Sequence, residues 1–184
     1  MNVRGAEHVA CDVLIIGCGL AGMRAAEECS AAGLRVVLLG TGRGASPFIH
    51  GFNVPLAPGD SVECFYEDTV RSGCDQGDPA LVRILCRGSM RALEGIEWLG
   101  SRPNRDRDGN IQLIRAVGCS YPRVVSIGNE AGAVLLERLQ ERIGRRGNTV
   151  FLHGPAVRPC VEDSRAEGAV ARVGGRSVSL AATA

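Results

Sequence analysis

The chain has no lysine; its 21 basic residues are all arginine, set against 20 acids for a formal net charge of +1 over 184 residues. The arginines are scattered and form no stripe, which excludes a surface built to coat nucleic acid and reads as coding bias. Cysteines fall at positions 11, 18, 29, 64, 74, 86, 119 and 160, with no C-x-x-C pair and no histidine at ligand spacing, so no metal site is expected. No apolar run approaches the length of a bilayer span, and no charged leader precedes a short apolar core. A cytoplasmic chain with reduced thiols is the expectation. The 45% hydrophobic and 22% charged residues make a globular composition, and the length suits one domain over residues 1–184.

Periodicity gives the organisation. Val13 to Ile16 is a short continuous apolar run, as a buried parallel strand requires. "MRAAEECSAAG" then supplies helix formers stopped by Gly33, and Leu34 to Leu39 makes a second buried run, completing a β-α-β unit with parallel strands. From Gly40 to Asp60 glycine and proline are dense, so a long loop is expected, of the kind that serves a ligand. Asp60 or Ser61 caps the next helix, which Gly73 ends; Asp78-Pro79 launches another that runs to about Gly100, with Leu81, Ile84, Leu85, Ala92, Ile96 and Leu99 on its buried stripe. A further helix spans about Asn129 to Ile143, burying Leu135, Leu136, Leu139 and Ile143, with Gly144 as its stop. Strands come next at Thr149 to Leu152, Ala156 to Glu162, Ala169 to Val173 and Ser177 to Ala181, the last two joined by a Gly174-Gly175 hairpin turn.

Gly17, Gly19 and Gly22 satisfy G-x-G-x-x-G between strand and helix. The first permits the tight turn, the second lets a pyrophosphate reach the backbone, and the third lets helix and strand pack closely. Helix N–H groups then meet the phosphate charge. The pattern predicts dinucleotide binding; the plain alternative is a β-α turn that merely needs small residues. An acid at the end of the second strand would bind the adenosine ribose. Here Gly40 stands there, followed by Thr41, so the Thr41 hydroxyl and backbone groups are left to hold the ribose, or the site binds in another way.

Together with the segments after them, these residues resemble the flavoprotein family of fumarate reductase, succinate dehydrogenase and L-aspartate oxidase. "DVLIIGCGLAGMRAAEECSAAGLRVVLLGTG" is similar to its FAD-binding opening, where a small residue often replaces the acid. "HGFNVPL" resembles the glycine-asparagine turn beside the flavin, "DSVECFYEDTVRSG" the next helix, and "YPRVVSIGNEAGAVLLERLQERI" the segment leading to the antiparallel strands. The resemblance covers nearly the whole chain in order. It implies an α/β fold, a Rossmann-like FAD-binding domain with a parallel sheet, helices and a small antiparallel meander, incomplete at the C-terminus. It implies FAD, with Gly17, Gly19, Leu20, Ala21 and Gly22 at the pyrophosphate, Thr41 on the adenosine side, Ser46, Gly51 and Asn53 on the flavin side, and the Ala156 and Val157 backbone at the adenine. Members with covalent flavin carry histidine after the loop serine; Pro47 follows Ser46 here, so the FAD should be non-covalent. Asn129 stands where aspartate is common, which removes a charge-dependent contact. The family's next strand, ending A-T-G-G, and its capping domain lie beyond Ala184, so a small polar substrate is expected to need a missing domain or a partner chain.

No catalytic residue is assigned. His50 is read as a loop histidine packed on backbone, His8 as preceding the fold, His153 as a turn residue, Cys18 as packed against the sheet, Trp98 as core, and Arg123 as either facing substrate or on the surface. Two other functions are carried forward. A nicotinamide-dependent reductase would continue its βα alternation after Leu39, and a non-catalytic interaction module would expose a sheet edge.

Overall fold

The computed structural model describes residues 8–128 and 130–184, so the expectations placed on Asn129 lie outside the described residues. In chain order the elements are β1 (His8–Cys11), β2 (Val13–Ile16), α1 (Leu20–Ala31), β3 (Val36–Gly40), β4 (Gly51–Asn53), α2 (Val62–Ser72), α3 (Pro79–Trp98), β5 (Val124–Ser126), α4 (Ala131–Arg146), β6 (Thr149–His153), β7 (Ala156–Glu162), β8 (Arg165–Val173) and β9 (Arg176–Ala182). They fall into two compact units, one of residues up to Pro47 together with Leu136–Ala184, the other Phe48–Leu135.

Unit one holds two sheets. A parallel sheet runs β2-β3-β6, and a second runs β1-β9-β8-β7, antiparallel except that β1 lies parallel to β9. The central strand β3 is buried on both faces, Val36 to Leu39 each being at most 1% exposed, which is what its unbroken apolar run requires. Strand β2, expected to be buried as well, is only half-buried and ends on an exposed Ile16, because it lies at one side of the parallel sheet. Val37, Leu39 and Leu152 from one sheet and Val9, Cys11, Ala171, Val178 and Leu180 from the other form one hydrophobic cluster. Strand β1 is not legible in the sequence, and His8, expected ahead of the fold, pairs with Ser179 inside it. Four alternating residues next to β2 carry too short a pattern to stand out. The last residue also joins the parallel sheet, since the Ala184 amide donates to Asp12 and its carbonyl accepts from Leu14.

Glycine stops behave as the sequence predicts at Gly33 (φ +82°) and at the Gly174-Gly175 turn (φ +58° and +80°). The α4 stop does not. The helix runs through Gly144 to Arg146 and ends before Gly147 (φ +73°), because a helical glycine costs only about 1 kcal/mol and Ile143 is fully buried. A second tight hairpin, unforeseen, joins β7 to β8 through Asp163 and Ser164, both at positive φ (46° and 62°) without being glycine. In α1, Glu27 is buried and ion-paired to Arg24, Arg142 and Arg146, tying that helix to the end of α4.

In unit two, β4 pairs antiparallel with β5, so part of the expected long loop is a short sheet. Ser61, not Asp60, caps α2 by accepting from the Cys64 amide, and Asp78 caps α3 through the Ala80 amide. The buried stripe of α3 is Cys86, Ser89, Leu93 and Ile96. The stripe expected from the sequence is mostly wrong: Leu81, Ile84, Leu85 and Ala92 are exposed, and only Ile96 is buried. The helix carries two apolar stripes roughly 100° apart, by the 3.6-residue turn, and the rest of unit two covers one of them. Trp98, expected in the core, is 54% exposed.

Arg123 is the largest correction here. It is fully buried, donating Nε and Nη2 to Asp60 at 2.7 Å each and Nη1 to Asp68, with its guanidinium 5.3 Å from the Phe65 ring. Burial pushes the Asp68 carboxyl up, but bonds from the Ser120 amide, Arg123, the Ser120 hydroxyl and Arg71 outweigh it and hold the group well below the usual carboxylate range. For Arg123, burial lowers and the two carboxylates raise, leaving it above its ordinary value.

Asp68→Ala leaves Arg123 buried with half its partners and is expected to destabilise the chain by about 3–5 kcal/mol in urea titration. Because Asp68 has a depressed folded pKa, its contribution is complete above the unfolded value of about 4 and drains away as pH falls below it. An acid titration of stability should therefore fall less steeply in Asp68→Asn than in the parent. At the other hairpin, Asp163→Asn with Ser164→Gly matches the preferred residues for two successive left-handed positions, and thermal melting should show a rise of about 2–4 °C.

Candidate functional site

The turn between β2 and α1 is set by a close approach. A Cβ on Gly22 would lie 1.9 Å from the Gly17 carbonyl oxygen, so only glycine lets the helix start there. Gly17 itself sits at φ +118°, with nothing within 4 Å of the place a Cβ would take, and its amide donates to Leu39 at the end of β3. That leaves an exposed backbone face at the head of α1.

The helix has no side-chain cap of its own, since its N-cap is Gly19. The Leu20 amide instead donates to Ser46 Oγ at 3.0 Å, and a Cβ on Gly19 would come within 3.0 Å of the same oxygen. Ser46 therefore joins Gly17, Gly19, Leu20, Ala21 and Gly22 at one place. Its hydroxyl accepts from the helix and keeps its own proton to donate. A helix N-terminus with a hydroxyl beside it and a glycine turn ahead of it can serve as a donor set for a phosphate anion. No basic side chain is needed, and Arg43, just upstream of Ser46, points its guanidinium to Gln140.

The end of β3 is crowded rather than open. Cys18 is half-buried, and its Sγ lies 2.7 Å from where a Cβ on Gly40 would stand. Burial pushes the Cys18 thiol up, so it packs as a neutral group, in line with the sequence expectation. Thr41 is exposed directly after the strand. Ala156 and Val157 are exposed at the start of β7, which among the described residues pairs only with β8 and so has an outward edge. His153 ends β6 opposite Gly40.

In unit two, Gly51 and Asn53 are half-buried at the two ends of β4. A Cβ on Gly51 would lie 2.6 Å from the Val125 carbonyl oxygen, so this glycine is needed for strand pairing. Asn53 Oδ1 is buried with no hydrogen-bond partner among the described residues. A buried amide oxygen left without a donor fits a polar group supplied from outside the chain. His50 is exposed just before β4. Arg123, read as facing substrate or solvent, takes part in neither, being locked in its ion cluster.

The contact that sequence reasoning missed is Ser46 with Leu20, since 26 residues separate them. The glycine-capped helix, which lacks any Ser, Thr, Asp or Asn at its N-cap, was the available signal. The described residues hold no group of three His, Cys, Asp or Glu able to bind a metal, and no helix among them is long and apolar enough to cross a membrane.

A family model described as FAD binding domain matches residues 12–184. A fumarate reductase (CoM/CoB) chain of Methanothermobacter marburgensis is 34% identical over 148 residues, 76% of this chain and 27% of that protein. The L-aspartate oxidase of Streptomyces coelicolor is 31% identical over 144 residues, 76% of this chain and 25% of that one. Among solved structures, the Mycobacterium smegmatis Sdh1 complex in its apo form aligns with a TM-score of 0.87 at 22% identity, covering 96% of this chain and 34% of the other. A variant of E. coli quinol fumarate reductase FrdA aligns with a TM-score of 0.85 at 21% identity, covering 96% and 32%. The chain thus spans about a quarter to a third of the proteins it matches.

Proposed function

The chain belongs to the FAD binding domain family, and from that premise we propose that residues 1–184 form the cofactor-holding part of a flavin-dependent oxidoreductase that moves hydride to or from a small polar substrate, a dicarboxylate being the first to test. The observation that carries the reading is the strand, glycine turn and helix of Gly17 to Gly22, whose helix head lacks a side-chain cap and presents its backbone outward. The residues fit FAD. In unit one, the glycine turn from Gly17 to Gly22 with Leu20 and Ala21 holds the pyrophosphate, the Gly17 amide being committed to Leu39 and the Leu20 amide to Ser46, and the Ser46 hydroxyl donates to it. Thr41 serves the adenosine ribose, and the free edge of β7 at Ala156 and Val157 serves the adenine. In unit two, Gly51 and Asn53 serve the flavin, supported by the unpartnered Asn53 Oδ1.

When bound, the flavin supplies the hydride chemistry, while the protein supplies orientation and electrostatics. This chain's share is binding. Pro47 after Ser46 leaves no histidine at the position used for covalent attachment, so the cofactor is held non-covalently. The groups that bind substrate and pass protons come from a further domain or a partner chain, and the setting is cytoplasmic. The nicotinamide alternative has less support, because β3 is followed by a loop, α2 and α3 before α4 returns one strand, β6, to the parallel sheet, and the chain then turns into an antiparallel meander.

Purified chain titrated with FAD should gain a near-stoichiometric flavin band, and acid precipitation should leave that flavin in the supernatant. Flavin in the pellet would refute non-covalent attachment. Ser46→Ala should keep the fold, judged by an unchanged melting curve within about 2 °C, and weaken FAD by about 10-fold, the value of one hydrogen bond to a charged group. Equal affinity in the two proteins would remove Ser46 from the site.

A further inference from the structure

Gly40 is a glycine without a conformational reason. It ends strand β3 with no left-handed φ and pairs with His153 on β6. Its reason is steric. A Cβ there would lie 2.7 Å from Cys18 Sγ and 3.2 Å from the Cys18 amide nitrogen, closer than real Cβ atoms come to the first of these.

The backbone on both sides is held. The Gly40 carbonyl accepts from the Gly154 amide at 3.1 Å, and the preceding Leu39 carbonyl accepts from the Gly17 amide at 2.8 Å, so neither the strand nor the glycine turn can back away cheaply. Only the thiol can yield. The volume it fills is the one through which any side chain at position 40 would have to leave the strand, and that position is where dinucleotide sites place a ribose-binding acid.

We propose that Cys18 and Gly40 act as one specificity-determining pair: the Cys18 thiol fills the space that a carboxylate at position 40 needs, so this site takes the adenosine ribose without a carboxylate. The proposal rests on the FAD reading above for its ligand, and on geometry alone for its coupling. Cys18 is given no phosphate contact. It acts by excluding a neighbour.

The test is a double-mutant cycle with two readouts. Melting temperature without cofactor is compared for the parent, Cys18→Ala, Gly40→Ala and the double variant. Gly40→Ala should lower the Tm by about 5 °C in the parent, as overpacking does, and leave it unchanged or raised in the Cys18→Ala background, where glycine-to-alanine is ordinarily favourable. Equal effects in both backgrounds would overturn the pair, because the obstacle would then be the Cys18 amide, which both proteins share. FAD affinity is then compared between Cys18→Ala and Cys18→Ala with Gly40→Asp. A gain of about 10-fold on adding the acid supports the ribose assignment, and no gain overturns it. If none of the proteins binds FAD, the parent reading fails, while the melting cycle still decides the coupling.

Discussion

The turn from β2 into α1 works only because Gly22 has no side chain. Its missing Cβ would fall 1.9 Å from the Gly17 carbonyl oxygen, and no neighbouring rearrangement can absorb that, because the oxygen belongs to backbone. From this one approach the rest of the glycine loop follows. The helix begins close against the strand, Gly17 turns through φ +118° to feed it, and the Gly17 amide is returned to Leu39 on β3. The head of α1 is left with no cap of its own, its Leu20 amide met by Ser46 instead, and a helix N-terminus is the chemistry a pyrophosphate seeks. Ser46 contributes a side-chain oxygen there, reaching in from the loop after β3.

Most of unit one was legible in the sequence. The unbroken apolar runs reported β2 and β3 as parallel strands, though only β3 is covered on both faces, and the Gly174-Gly175 pair reported its hairpin by the conformation only such residues adopt easily. The antiparallel meander was seen as separate strands, though β8 starts at Arg165, earlier than its apolar half suggests. The elements that escaped were either short or non-local. Strand β1 has four residues and no glycine boundary, and the Asp163-Ser164 hairpin uses residues that tolerate positive φ without advertising it.

In unit two the failures share a physical origin. Apolar periodicity says that a helix has a face, not which neighbour covers it. Leu81, Ile84 and Leu85 make as good a stripe as Cys86, Leu93 and Ile96, and only packing against α2 and the β4-β5 region distinguishes them. Ser89 sits buried on the chosen face because its hydroxyl donates back to the Cys86 carbonyl, a satisfied polar group that a hydrophobicity count scores against it. Arg123 misled for the converse reason. A charged residue is assigned to the surface by composition alone, and its two carboxylate partners lie 55 and 63 residues away in the chain.

The absence of lysine gains a second meaning from these ion clusters. Coding bias accounts for arginines that stand in solvent, but Arg123 uses its fork in a way an ammonium cannot reproduce, with Nε and Nη2 on one carboxylate and Nη1 on another, over an aromatic ring. Arg35 makes a similar use of its planar group, meeting both oxygens of Asp12 while its own amide donates to the same carboxylate. At Glu27 three arginines share one buried carboxylate. Wherever positive charge is committed to holding this chain together it is committed as geometry, in planar groups that are already ordered before their partners arrive. The glycine loop shows the opposite arrangement. It presents donors for an anion without a basic side chain, because backbone amides at a helix head are fixed in direction by the fold itself and lose no side-chain freedom when a ligand is bound. Charge is thus placed in the scaffold and kept out of the glycine loop, which suits the close backbone approach that the proposed pyrophosphate site requires.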